Sequence, residues 1–178
     1  MENKTKKRTG QILKIMHVLA WIAFIGLAIE GGVFLTTYTV TCINPEAAKN
    51  LYRGLNLYNL LQFSFFNYSL SIFFIVLLYA MKAWIVLLII RILSKVNLEN
   101  PFKYEVAHII EKISYILLGT CVLSSLHNIQ LSYLSGKLST PLKDWDTGQF
   151  LFMAGLVFIF SQIFKRGVAI QNENDLTV

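Results

Sequence analysis

Charged residues are missing from five long stretches of the chain, 15–29, 31–45, 54–81, 113–136 and 147–164. A helix that crosses a bilayer needs about 20 mostly apolar residues. Apolarity around these stretches predicts four such helices, at about 13–36, 68–91, 112–134 and 149–166. The expected fold is all-α: an integral membrane four-helix bundle formed by 1–178 as one domain. Two segments, 37–67, which is long, and 135–148, connect the spans on one side. Within the first, Asn44-Pro45-Glu46 has the make-up of a helix start: a cap, a proline at the first position and an acid near the positive dipole end. A short outer helix is expected over 45–53, ending at Gly54. Residues 55–66 either lie in the interface, lengthen the second span or form an irregular loop.

The basic residues orient the spans. Lys4, Lys6, Lys7, Arg8 and Lys14 precede the first. Arg91, Lys95, Lys103 and Lys112 separate the second from the third, and Lys165 and Arg166 follow the fourth. The opposite side holds only Lys49, Arg53, Lys137 and Lys143. Both termini are therefore expected in the cytoplasm, with 167–178 a cytoplasmic tail. The formal net charge of +6 reads as this orientation signal. It sits in short flanks with no basic domain behind them, which argues against direct nucleic-acid binding.

Composition agrees with a membrane protein. Apolar residues make up 55% of the 178 and charged residues 15%, too few to cover a small water-soluble domain. The 13% aromatic content excludes disorder. The N-terminal apolar stretch is too long for a secretory signal and no A-x-A site follows it. Cys42 and Cys121 are expected at different depths, so no disulfide is predicted between them.

Glu30 and Lys82 carry charge inside predicted spans. Such a group costs at least ~3 kcal/mol in mid-bilayer, so it faces protein or water. At ~1.5 Å per residue, Lys82 lies about 13 Å and Glu30 about 20 Å above the inner boundary, within joint reach if the helices are neighbours. Either the two pair, or Glu30 sits near the outer interface while Lys82 snorkels. Helical spacing places Ala23, Gly26 and Thr37 on the Glu30 face and Ala28 with Gly32 on another, both suited to close packing. Ser64, Tyr68, Ser71 and Tyr79 share the Lys82 side. On the third span Thr120, Ser124 and His127 share one face, with Asn128 beside it. Glu30, Lys82, Thr120, Ser124 and His127 thus form the expected intramembrane polar cluster.

Other constellations carry less. Glu105-Val106-Ala107-His108 is one Glu-x-x-His, and a di-iron bundle needs two with two further glutamates. Glu105, His108, Glu111 and Lys112 read instead as the solvated face of a helix entering the membrane. Asp144 and Asp146 offer few of the six to eight oxygens calcium needs, and read as loop and cap. There is no C-x-x-C, H-E-x-x-H, G-x-S-x-G or P-loop. No enzyme, cofactor or metal is expected.

Two stretches resemble a known family. One is Asn100-Pro101-Phe102 followed by the long helix into the third span. The other is the chain's end, Lys165-Arg166-Gly167-Val168-Ala169-Ile170-Gln171-Asn172-Glu173-Asn174-Asp175-Leu176-Thr177-Val178. With four spans in so short a chain, these resemble a bacterial membrane-protein family catalogued as a domain of unknown function. Its members are typically encoded beside a small Cro/C1-type helix-turn-helix regulator. The helix after Pro101 usually carries more arginine than this one, which has only Lys103 and Lys112. The resemblance implies the bacterial cytoplasmic (inner) membrane and a cytoplasmic regulator partner, with no catalytic residues to carry over. Asn100, Pro101, Phe102, Arg166, Asn174, Asp175 and Leu176 are the expected partner-binding residues. The function expected is a non-enzymatic accessory or sensor. The alternative is an oligomeric small transporter or channel subunit using Glu30, Lys82 and His127.

The charge pattern makes a direct prediction. Alkaline phosphatase fused after Lys49 or Lys137 is active, and fused after Lys95 or Val178 it is inactive. The reverse pattern overturns the assigned orientation.

Overall fold

The computed structural model describes residues 2–49, 57–95, 103–138 and 144–175; of 2–7, 138, 174 and 175 it describes the backbone alone. Its elements are α1 (Glu2–Ile43), a 3-10 turn (Pro45–Lys49), α2 (Tyr58–Phe63), α3 (Phe65–Lys95), α4 (Tyr104–Leu138) and α5 (Thr147–Asp175). The described residues are all-helical apart from short connections. Four stretches are long and apolar enough to cross a membrane: Arg8–Ile43, Phe65–Lys95, Tyr104–Lys137 and Thr147–Glu173. These are the helices that a four-span membrane bundle requires, one for each expected span.

Each helix outruns its expected span because its polar flanks stay helical. In α1 the threonines that follow the apolar run bond backwards. Thr37 donates to Val33 O at 2.7 Å and Thr39 to Thr36 O at 2.8 Å. A hydroxyl satisfied by its own helix adds no unmet polar group. α5 likewise continues through Gly167 to Asp175, so most of the expected tail is helical.

Asn44 ends α1. Its side chain accepts the Glu46 N–H at 3.2 Å and Pro45 opens the next turn, as the sequence suggests. The expected helix over 45–53 is a 3-10 turn over Pro45–Lys49; residues 50–56 lie outside the described ones. Lys49 donates to Glu46 at 2.7 Å. That hydrogen bond holds the Glu46 carboxyl below its ordinary range. The Leu57 N–H donates to the carbonyl of buried Ala48 at 3.1 Å, tying this turn to the start of α2.

Residues 57–66 do not simply lengthen the second span. Ser64 is extended, at φ −167° and ψ 119°, and separates α2 from α3. Its carbonyl accepts the Tyr68 N–H at 3.1 Å, and its Oγ lies 3.4 Å from the Asn67 nitrogen as an N-cap of α3. Ser64 therefore has no place on the Lys82 face of that helix.

The chain divides into two compact units. The first comprises Met1–Ile25, Trp84–Gly119 and Gly148–Val178. Its core is Leu88, Ile113, Leu117 and Ala154, flanked by isoleucines of α3 and α4 and by Val157. Ser114 and Ser161 are fully buried there, each donating to a carbonyl of its own helix. Small residues of this kind let helices approach closely. Ion pairs join its polar ends: Lys95 with Glu105, and Lys165 with Glu111 at 2.7 Å. Glu111 is only 14% exposed, which corrects its reading as part of a solvated face. It is the anchor that fixes α5 to α4.

The second unit comprises Gly26–Ala83 and Thr120–Thr147. Phe34, Leu57, Leu60, Tyr68, Ile72, Ile75 and Leu134 form its core, with Tyr38, Tyr79 and Trp145 packed against them. Tyr38 stacks on Tyr68 at 6.0 Å and its hydroxyl meets Ser69 Oγ at 3.1 Å.

No residue of α1's most apolar window is buried. Ile15, Val18, Leu19, Ile22 and Ile25 all point outward. A continuous apolar surface of this kind is stable against lipid. Burial then decides which substitutions hurt. Leu88 is 2% exposed and Ile22 61%. In lipid a lost core side chain costs packing and leaves a cavity, so Leu88→Ala destabilises by about 2 kcal/mol. Ile22→Ala stays within about 0.5 kcal/mol. Steric-trap or thermal unfolding in detergent measures both.

Candidate functional site

The site is built within the second unit, around a close approach of α3 to α1. A side chain at Gly31 would put its Cβ 3.5 Å from the Tyr79 Cβ, so this glycine is the contact point. Gly26 and Gly32, the glycines expected to support close packing, have nothing within 4 Å of an added Cβ. The packing glycine is therefore Gly31, beside the charged residue itself.

Tyr79 occupies that contact. Its ring stacks on Phe34 at 5.7 Å and meets Trp145 edge-on at 6.1 Å. Its hydroxyl donates to Glu30 Oε2 at 2.9 Å. One turn below, Lys82 Nζ sits 4.4 Å from the centre of the Trp145 ring and 5.6 Å from that of Tyr79. Both are within cation–π range. Glu30 meets the hydroxyl of Tyr79 and Lys82 meets its ring. Glu30, Tyr79, Lys82 and Trp145 thus form one network in which a carboxylate and an ammonium share an aromatic partner.

Trp145 is held by its backbone. Asn128 Oδ1 accepts the Trp145 N–H at 2.9 Å, and Asn128 Nδ2 donates to the Trp145 carbonyl at 2.7 Å. The Thr147 N–H donates to the same carbonyl at 2.9 Å as α5 begins. An amide that offers both a donor and an acceptor replaces a strand partner for this residue. The indole is thereby fixed over Lys82 although it lies in the segment before a helix.

The other members of the expected cluster face different neighbours. Thr120 donates to Met81 Sδ at 3.9 Å and Ser124 to the carbonyl of Cys121 at 3.0 Å. Both are fully buried. His127 is 1% exposed and stacks on Phe74 at 5.3 Å, with no hydrogen bond to either ring nitrogen. No hydrogen bond joins it to Glu30. Gln130 donates from Nε2 to Ser71 Oγ at 3.2 Å. Trp145 had no signal in the sequence, being one aromatic residue in a polar connection. Gly31 was hidden beside the more conspicuous Gly32.

Of the expected partner-binding residues, Asn100, Pro101, Phe102 and Leu176 lie outside the described ones. Arg166 is exposed on α5, and Asn174 and Asp175 belong to its last turn. Among the described residues no three of His, Cys, Asp and Glu gather as a metal site would need. Cys42 and Cys121 are free thiols.

The family profile described as "Protein of unknown function (DUF2975)" matches residues 43–178. The chain belongs to this family. The match takes in α2 to α5, and with them Tyr79, Lys82, Asn128 and Trp145. Glu30 and Gly31, on α1, precede the part of the chain that the family profile covers. No curated protein and no solved structure gives a match.

A carboxylate and an ammonium on one aromatic partner suit recognition or structural pairing. Removing one charge strands the other in a half-buried apolar setting, at a cost on the order of 2 kcal/mol, between exposed and buried pairs. Glu30→Leu with Lys82→Met is milder than the sum of the single changes, with a coupling above about 0.5 kcal/mol in a double-mutant cycle. Thermal melting in detergent reads it. Additive losses mean that the two charges act separately.

Proposed function

We propose that this chain is a multi-pass protein of the bacterial cytoplasmic membrane, both termini inside, that works as a non-enzymatic accessory or sensor. Asn100, Pro101, Phe102, Arg166, Asn174, Asp175 and Leu176 are the residues that meet its cytoplasmic partner, a helix-turn-helix regulator encoded beside it. The Glu30–Tyr79–Lys82–Trp145 network is the polar point within the spans from which the helices are set.

One observation carries this reading. α5 stays helical for about three turns beyond its apolar part, from Lys165 to Asp175. The Lys165–Glu111 ion pair pins the start of that extension to α4. Arg166 is left exposed. A polar helix held at a fixed angle is a surface for a partner protein rather than a loose tail. The family resemblance supplies the kind of partner.

Transport is the second reading, favoured by the two opposite charges inside apolar helices. Four spans are few for one transporter, so it requires an oligomer. A proteoliposome flux abolished by Glu30→Gln would support it over the sensor reading.

The adjacent regulator co-purifies with the full chain from membranes, and deletion of 172–178, which spares buried Val168, removes it while leaving the elution profile and melting temperature unchanged. Regulator retained on the shortened chain contradicts the proposal, as does no complex with the full chain in cells or detergent.

A further inference from the structure

The first unit holds a basic and aromatic surface that the proposed function does not use. Trp84 and Arg91 are seven residues apart on α3, and so share one face. Trp84 is 53% exposed and Arg91 is exposed. On α4, Lys112 is exposed and its Nζ lies 5.7 Å from the centre of the Trp84 ring. Tyr115, one turn further on, is 56% exposed and contacts Phe158 at 6.3 Å.

The charge balance around this surface is uneven. Glu105 is taken by Lys95, and Glu111 by Lys165 and His108. Among the described residues neither Arg91 nor Lys112 is paired with a carboxylate. One cation therefore lies against the exposed indole, and a second lies two turns along the same helix face, where apolar helix gives way to polar. Tryptophan and tyrosine favour the headgroup level of a bilayer, and Lys and Arg favour its anionic phosphates.

We propose that Arg91 and Lys112 bind the headgroup of an anionic phospholipid, with its upper acyl chain against Trp84 and Tyr115. Arginine supplies a planar fork for phosphate oxygens, and lysine supplies a point charge beside it. The apolar surface of Trp84 and Tyr115 selects a lipid over a free anion, since inorganic phosphate has nothing to lay against it.

The test uses the full chain in detergent, titrated with phosphatidylglycerol or phosphatidylcholine brominated in the acyl chain. Quenching of tryptophan fluorescence reports binding, and Trp84→Phe identifies the share that belongs to this site. Phosphatidylglycerol should quench at lower concentration than phosphatidylcholine. Arg91→Gln and Lys112→Gln should each weaken that preference about five-fold, and together about 25-fold. Arg91→Lys should keep most of it, and Lys14→Gln, at an exposed cation elsewhere on the unit, should leave it unchanged. Unaltered melting shows that each variant is folded. The proposal is overturned by equal quenching with both lipids, by a preference that survives the double change, or by displacement of the lipid with inorganic phosphate at the lipid's own concentration.

Discussion

An ammonium group inside an apolar helix must find its partners within the protein, because lipid offers none. Lys82 is that group, and the arrangement of the second unit follows from it. Trp145 lies over its charge, and Tyr79 lies beside it while its hydroxyl holds Glu30, the group of opposite sign. Each of these is fixed by something else. Tyr79 lies against α1 at Gly31, and Asn128 grips Trp145 by both of its backbone groups. A network in which every member is positioned by a further contact is how a low-dielectric interior keeps charge.

The first unit solves a different problem with related means. Its core is aliphatic, and serines satisfied by their own helices allow the contacts to be close. Its polar ends are joined by ion pairs, of which Lys165–Glu111 is the least exposed. That pair fixes the direction in which α5 leaves its apolar part. The same residues that orient the chain by their charge thus also shape what the cytoplasmic face presents, on the topology proposed above.

The four long helices were legible because the absence of charge over about 20 residues is a strong and local signal. Glu30 and Lys82 stood out for the same reason: each is a lone charge in an apolar run. Asn44-Pro45-Glu46 was legible because a capping side chain and a following proline act within one turn. What the pattern did not contain was pairing between distant segments. Trp145 meets Lys82 through a contact set by Asn128, and nothing in a single polar connection marks it. Gly31 rather than Gly32 makes the close approach because the rotation of α1 is fixed by its partners, beyond what spacing alone specifies. Glu111 looked solvated because its partner, Lys165, lies 54 residues on.

The sharing of Tyr79 by Glu30 and Lys82 is tested most directly by proximity in native membranes. With Cys42→Ser and Cys121→Ser as background, Glu30→Cys and Lys82→Cys are combined, and a protease site is inserted between residues 50 and 56. A short bismaleimide should keep the two fragments joined after cleavage. Ile29→Cys with Lys82→Cys, one residue away on an exposed face, should release them. Fragments that separate in the Glu30 pair, or stay joined equally well in the Ile29 pair, would contradict a shared site for the two charges.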